Sequence, residues 1–195
     1  MKDEYYGDKR DLVKWGGIVH LCTTERIKNV IQVAYYRNSE WPKLSFNGEK
    51  VDLPVPVTKH FRDIEDIKRL ANGVGLNIDV IKAEYKNRLD YHRDVCDRIK
   101  TVWERKVVFL DPDTGLAPDT YDERHVTGDE LKMIWDSLSN RDYLVFFQHS
   151  FRDKDWIGKH RSEMTDALGL DVDRIKSWSS DIAKDVVFFF VEKVE

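Results

Sequence analysis

Cysteine is scarce: Cys22 and Cys96 are the only two in 195 residues, and they form no CxxC pair. That spacing suggests neither a disulfide framework nor a zinc site. An excess of positive charge is missing too. The net charge is −4, so nothing draws the whole chain to nucleic acid, and such binding needs a local basic patch. No apolar run approaches membrane-spanning length, and the opening residues, MKDEYYGDKRD, hold no apolar signal core. Internal repeats and low-complexity tracts are also absent. These absences lead us to expect an intracellular, cytoplasmic protein with no membrane partner.

What is present is a chain with 35% charged and 41% apolar residues, which fits a single soluble domain over residues 1–195. The spacing of Leu12, Trp15, Val19 and Cys22 predicts a helix over about residues 9–24, with Asp8 as its N-cap. IKNVIQVAYYR (27–37) reads as a strand. Residues 38–60 form an insertion containing Pro42, Pro54 and Pro56. Its segment KLSFNGEKVDL reads as a β-hairpin, because Asn47-Gly48 supplies the positive φ angles of a type I′ turn. Ile64, Ile67 and Leu70 set a helix from Arg62 to about Ala71, stopped by Asn72-Gly73. IDVIKAEY (78–85) reads as a strand, YHRDVCDRIKTVW (91–103) as a helix, and VVFL (107–110) as a buried strand. A helix follows from Thr127 to Leu138, then a second strand, YLVFFQH (143–149), apolar through Phe147, and a helix over 155–170 closed by Gly169. RIKSWSS and VVFFFVEKV end the chain as two strands.

This alternation predicts an α/β, three-layer Rossmann-like domain: a mostly parallel sheet covered on both faces, with an antiparallel C-terminal hairpin. Ligands of such sheets bind beyond the C-terminal strand ends, near the point where strand order reverses. The rule gathers Tyr35, Tyr36 and Arg37, Glu84 and Tyr85, Asp111 and Asp113, and Gln148 and His149.

Two short motifs add to this. Gly7-Asp8-Lys9-Arg10-Asp11-Leu12-Val13-Lys14 opens the first helix, and Phe109-Leu110-Asp111-Pro112 closes a buried strand. With an Asp-Pro pair after the fourth strand and a closing hairpin, the chain resembles the class I Rossmann methyltransferases. It is nearest the ribosomal RNA adenine-N6 methyltransferases that begin with a Gly-x-x-x-Asp-x-x-Lys helix. The element order is similar over nearly the whole chain, while only the two motifs are specific. Joined to the rim residues, the resemblance implies Asp111, Asp113 and His149 as catalytic residues. It implies Tyr36, Arg37 and Glu84 at the cofactor, S-adenosylmethionine, and Asp11, Lys14 and Gln148 at a nucleic-acid or nucleotide substrate. In that family the aspartate and the proline carbonyl accept hydrogen bonds from the amine, and an aromatic residue stacks on the flipped base. This chain departs from the family twice. Tyr35-Tyr36-Arg37-Asn38-Ser39-Glu40 replaces the glycine-rich cofactor loop, and Asp111-Pro112-Asp113-Thr114 replaces Asp-Pro-Pro-Tyr, which leaves Tyr121 as a candidate to stack. We therefore expect S-adenosylmethionine to bind weakly or not at all in the usual pose, since bulky side chains stand where the backbone must approach it.

Other readings of the same residues stay open. Asp111, Asp113 and Glu84 are hard oxygen ligands suited to magnesium, with His149 as acid or base and Lys14 or Arg37 on phosphate, as in a phosphoesterase or nuclease. A non-catalytic protein that binds a nucleotide or a partner in the same cleft is a third class. On the plainest reading, Asp111 to Gly115 is a turn, Asp11 and Lys14 are a surface ion pair, Tyr35-Tyr36 is packing, His149 caps a strand and His20 is solvated.

Overall fold

The computed structural model of the chain describes residues 2–38, 41, 43–150 and 153–194. Ser39 and Glu40 of the expected cofactor loop, and Pro42 of the insertion, lie outside the described residues. In chain order the elements are α1 (Lys9–Glu25), β1 (Asn29–Val33), β2 (Leu44–Phe46), β3 (Glu49–Val51), α2 (Val55–Phe61), α3 (Ile67–Val74), β4 (Asn77–Ile81), α4 (Arg88–Lys100) and β5 (Lys106–Leu110). They continue as β6 (Gly115–Leu116), β7 (His125–Val126), α5 (Gly128–Ser137), β8 (Tyr143–His149), α6 (Trp156–Leu168), β9 (Lys176–Ser180) and β10 (Ala183–Glu192).

The main sheet has the order β4-β1-β5-β8-β10-β9. Its first four strands are parallel, and β10 runs antiparallel to both β8 and β9. Strands β5 and β8 lie side by side with Val107 opposite Tyr143 and Leu110 opposite Phe146. Their side chains alternate between two cores. Val108, Leu110, Leu144 and Phe146 pack with residues of α4, α5 and α6. Val107, Phe109, Val145 and Phe147 pack on the opposite face with residues of α1 and α3. A strand buried on both faces must be apolar throughout, which is why VVFL and YLVFF lack polar alternation. From β1 the chain moves outward to β4, then returns to β5 on the other side of β1. The strand order therefore reverses between β1 and β5, beside Asp111.

Several expectations need correction. Leu12 is 68% exposed, while Trp15 and Cys22 are buried as expected, on a face of α1 that also takes in Asp11, Val13, Lys14, Ile18 and Leu21. Two charged residues belong to that face, so apolar spacing alone did not outline it. Strands β1 and β4 are shorter than 27–37 and 78–85, although Tyr36 and Glu84 still form an isolated parallel bridge beyond them. Helix α4 starts three residues before Tyr91, because Asn87 caps it by accepting from the Asp90 N–H. Asn72-Gly73 does not stop α3, which continues to Val74 and ends where Gly75 takes the left-handed conformation (φ 69°). Within the insertion the Asn47-Gly48 hairpin forms as β2–β3. Helix α2 and the two-residue parallel ladder β6–β7 were not expected.

Gly17 joins α1 to the sheet. A Cβ on Gly17 would lie 2.1 Å from the Trp178 indole, whose Nε1 donates to the Val13 carbonyl at 3.3 Å. In a free helix, Gly→Ala stabilises by about 1 kcal/mol. Here we expect the opposite sign: Gly17→Ala should lower stability by about 1–3 kcal/mol through overpacking. Chemical denaturation checks this, and a variant more stable than the parent would show that α1 does not seat on β9 through this contact.

Candidate functional site

The N-terminal turn of α1 meets the C-terminal ends of β5 and β8 around a cleft of about 320 Å³. Six of the residues singled out in the sequence line it: Asp11, Lys14, Arg37, Asp111, Asp113 and His149. Asp8 starts the helix, its carboxylate accepting from the N–H groups of Arg10 and Asp11. One turn on, the Lys14 ammonium donates to Asp11 Oδ1 at 2.6 Å and to Asp111 Oδ2 at 2.9 Å. Gln32 of β1 donates a further bond to Asp111 Oδ2 at 2.8 Å, and the Gly7 N–H donates to Asp11 Oδ2 at 2.6 Å. Lys14, Asp11 and Asp111 are all buried, so the surface ion-pair reading of Asp11 and Lys14 does not hold. Burial draws the Lys14 pKa down, but Asp111 and Asp11 outweigh it and hold the ammonium above the ordinary lysine value. Burial pushes the Asp111 carboxyl up, and Lys14 opposes this only in part. Among the described residues, Lys14 is the ammonium that bonds both carboxylates of this buried cluster at the cleft.

The other cleft cations are also paired. Arg37 bonds to Asp113, and to Glu123 at 2.9 Å. Asp113 is thus tied to Arg37, an arrangement that a local turn at Thr114-Gly115 did not anticipate. Arg10 bridges Asp8 at 3.0 Å and Asp185 of β10 at 2.5 Å. Asp185 in turn lies 3.5 Å from His149 Nε2, while the Ser150 carbonyl accepts from His149 Nδ1 at 3.2 Å. Burial alone would raise the Asp185 carboxyl, but its bonds with Arg10 bring it below the ordinary value. Arg10 and Asp185 escaped the sequence reading. Nothing about a lone Asp in the last strand signals a partner 175 residues away.

Gln148 has a different place from the one expected. It is fully buried, and its side chain binds the loop after β5: Oε1 accepts from the Leu116 N–H at 2.8 Å, and Nε2 donates to the His149 carbonyl at 3.0 Å. Gly115 (φ 131°) makes room for it, since a Cβ there would lie 2.2 Å from Oε1. Gln148 therefore anchors the Asp-Pro-Asp-Thr-Gly loop and does not line the cleft.

Tyr36 and Glu84 do not line the cleft. The Tyr36 hydroxyl donates to Asp3 at 2.8 Å, and Glu84 accepts from Asn38 and pairs with Lys86. Tyr121 lies over the Arg88 guanidinium, 5.2 Å from ring centre to Cζ. Tyr35 is buried in a left-handed conformation (φ 46°), the geometry that glycine adopts most readily. Its ring packs 5.1–5.6 Å from those of Tyr85, Tyr91 and His92. Its N–H donates to the Tyr91 hydroxyl at 3.0 Å, and its hydroxyl lies 3.3 Å from His92 Nε2. The Arg88 carbonyl, 2.7 Å from Nδ1, requires the proton on that nitrogen, so the Tyr35 hydroxyl donates to Nε2. Burial holds His92 below the ordinary imidazole value. This aromatic cluster fills the space beyond the ends of β1 and β4.

The hard-ligand set for magnesium is not assembled. Asp111 is engaged by Lys14 and Gln32, Asp113 by Arg37, and Glu84 lies outside the cleft. Among the described residues no group of three acidic, histidine or cysteine side chains is placed to hold a metal ion. Among the same residues no helix is long and apolar enough to cross a membrane. No protein-family model matches the chain, and no curated protein matches it.

Proposed function

We propose that this chain is a methyltransferase-like protein that binds a nucleotide, or a base of nucleic acid, in the cleft at the end of β5, with the S-adenosylmethionine region of such a fold closed. The observation that carries this reading is Asp111-Pro112, which stands at the strand-order reversal with the aspartate at the cleft. Both bonds to the Asp111 carboxylate fall on Oδ2. Oδ1 takes none among the described residues and is the atom we assign to a ligand N–H. The Tyr35 cluster supports the closed cofactor region, because it puts four rings where a cofactor's adenosine would need an open backbone.

Calorimetric titration of the protein with nucleoside monophosphates and with S-adenosylmethionine tests the reading. Asn at position 111 keeps an oxygen for Lys14 and Gln32, and Lys14 retains Asp11, so Asp111→Asn should fold. We expect a nucleotide to bind the parent, Asp111→Asn to weaken it about tenfold or more, in line with about 1.5–3 kcal/mol for a hydrogen bond to a charged group, and S-adenosylmethionine to give no heat. Nucleotide binding indifferent to Asp111→Asn would remove the site. Micromolar binding of S-adenosylmethionine against residues 35–38 would overturn the closed cofactor region.

A further inference from the structure

We propose that residues 43–62 grip a nucleic-acid strand at the mouth of the cleft, an inference that rests on the nucleotide-directed reading above. Among the described side chains of residues 43–61 none is buried. Leu44, Val51, Val55, Val57 and Phe61 are exposed, Phe61 to 68%. A short hairpin and a seven-residue helix with no core of their own gain little from folding alone. Such a segment has its use in what it touches.

Charge indicates what that is. Lys43, Lys50, Lys59 and Arg62 stand against Glu49 and Asp52, a net +2 within a chain of net charge −4. Lys43 pairs with Asp52 at 3.3 Å, while Lys50 and Lys59 make no ion pair among the described residues. Protein–protein interfaces are depleted of lysine, whereas a strand of nucleic acid needs both cations for its phosphates and flat apolar faces for its bases. His60 and Phe61 supply the second, as exposed rings 4.7 Å apart. The chain enters and leaves the segment near the cleft. Arg37, shortly before it, lines the cleft, and Arg62 at its end donates to the Tyr6 carbonyl at 2.5 Å, beside the cleft residue Tyr5.

The test is fluorescence anisotropy of a labelled single-stranded oligonucleotide and its duplex at rising salt. The proteins are the parent, Lys50→Glu/Lys59→Glu and Asp111→Asn. Both lysines are exposed, so the double variant should melt like the parent. We expect the parent to bind, and the double variant to bind about tenfold or more weakly, with a log K against log salt slope shallower by about two, roughly one per lost phosphate contact. Asp111→Asn should keep most oligonucleotide binding while binding the mononucleotide about tenfold or more weakly. No oligonucleotide binding by the parent, or equal binding by the double variant, overturns the grip. So does sedimentation that finds a dimer split by Phe61→Asp in a protein that ignores oligonucleotides. If oligonucleotides bind through the two lysines while mononucleotides do not bind at all, the cleft reading fails and the grip stands.

Discussion

Replacing Lys14 with methionine is expected to lower stability by about 3–5 kcal/mol near neutral pH, the range for removing one partner from a buried ion pair. The substitution leaves Asp11 and Asp111 close together, buried and without their shared cation. Burial then raises the Asp111 carboxyl above its unfolded value of about 4 with no Lys14 to oppose it. A group raised in this way contributes stability below its unfolded pKa and loses it as pH rises through the folded one. The deficit of Lys14→Met against the parent should therefore be small near pH 4 and grow toward pH 7. Denaturant titrations of both proteins across that range check it. A deficit that is absent at neutral pH, or constant with pH, would mean that the three side chains do not form one electrostatic unit.

The second large effect lies at the opposite end of the sheet. The Lys106 ammonium, at the start of β5, bonds to Asp142 at 2.7 Å and to the Val102 carbonyl at 3.0 Å, and both side chains are 1% exposed. Asp142 also accepts from the backbone N–H groups of Lys106 at 3.0 Å and Ser139 at 2.9 Å. Asp142→Ala strands a buried ammonium and two backbone donors, so the expected cost is again about 3–5 kcal/mol or more. Replacing both partners, as Lys106→Met/Asp142→Leu, should recover a good part of that loss, because no charge is left buried. Ligand binding at the cleft should be unchanged in the double variant. A double variant less stable than Asp142→Ala would contradict this account of the pair.

These two clusters also mark where the sequence stops being legible. VVFL and YLVFF are apolar on both faces, so their adjacent places in a parallel sheet could be read directly, and Asn47-Gly48 announced its hairpin. The start of α5 was equally clear at Thr127, which forms a capping box with Glu130. Polar residues in the core were not legible. Lys106 and Asp142 look like ordinary solvated side chains, Lys14 and Gln148 were read as facing a substrate, and only the fold supplies the distant partners that let all four be buried. The rim rule found Arg37, Asp111, Asp113 and His149 because strand ends are visible in sequence. It also gathered Tyr36 and Glu84, which lie at strand ends but turn away from the cleft. Helix α2 was missed because VPVTKHF joins proline to β-branched residues, a composition poor in helix propensity.

The central claim is that the ligand sits against the start of α1 and the loop after β5, not against the aromatic cluster beyond β1. Amide chemical-shift mapping of the isotope-labelled protein during titration with a nucleoside monophosphate tests this most directly. The account predicts saturable shifts concentrated at residues 8–14, 111–115 and 147–149, with Tyr35, Tyr85 and Tyr91 unmoved. Shifts centred on those three tyrosines, or none at the cleft under saturating nucleotide, would contradict it.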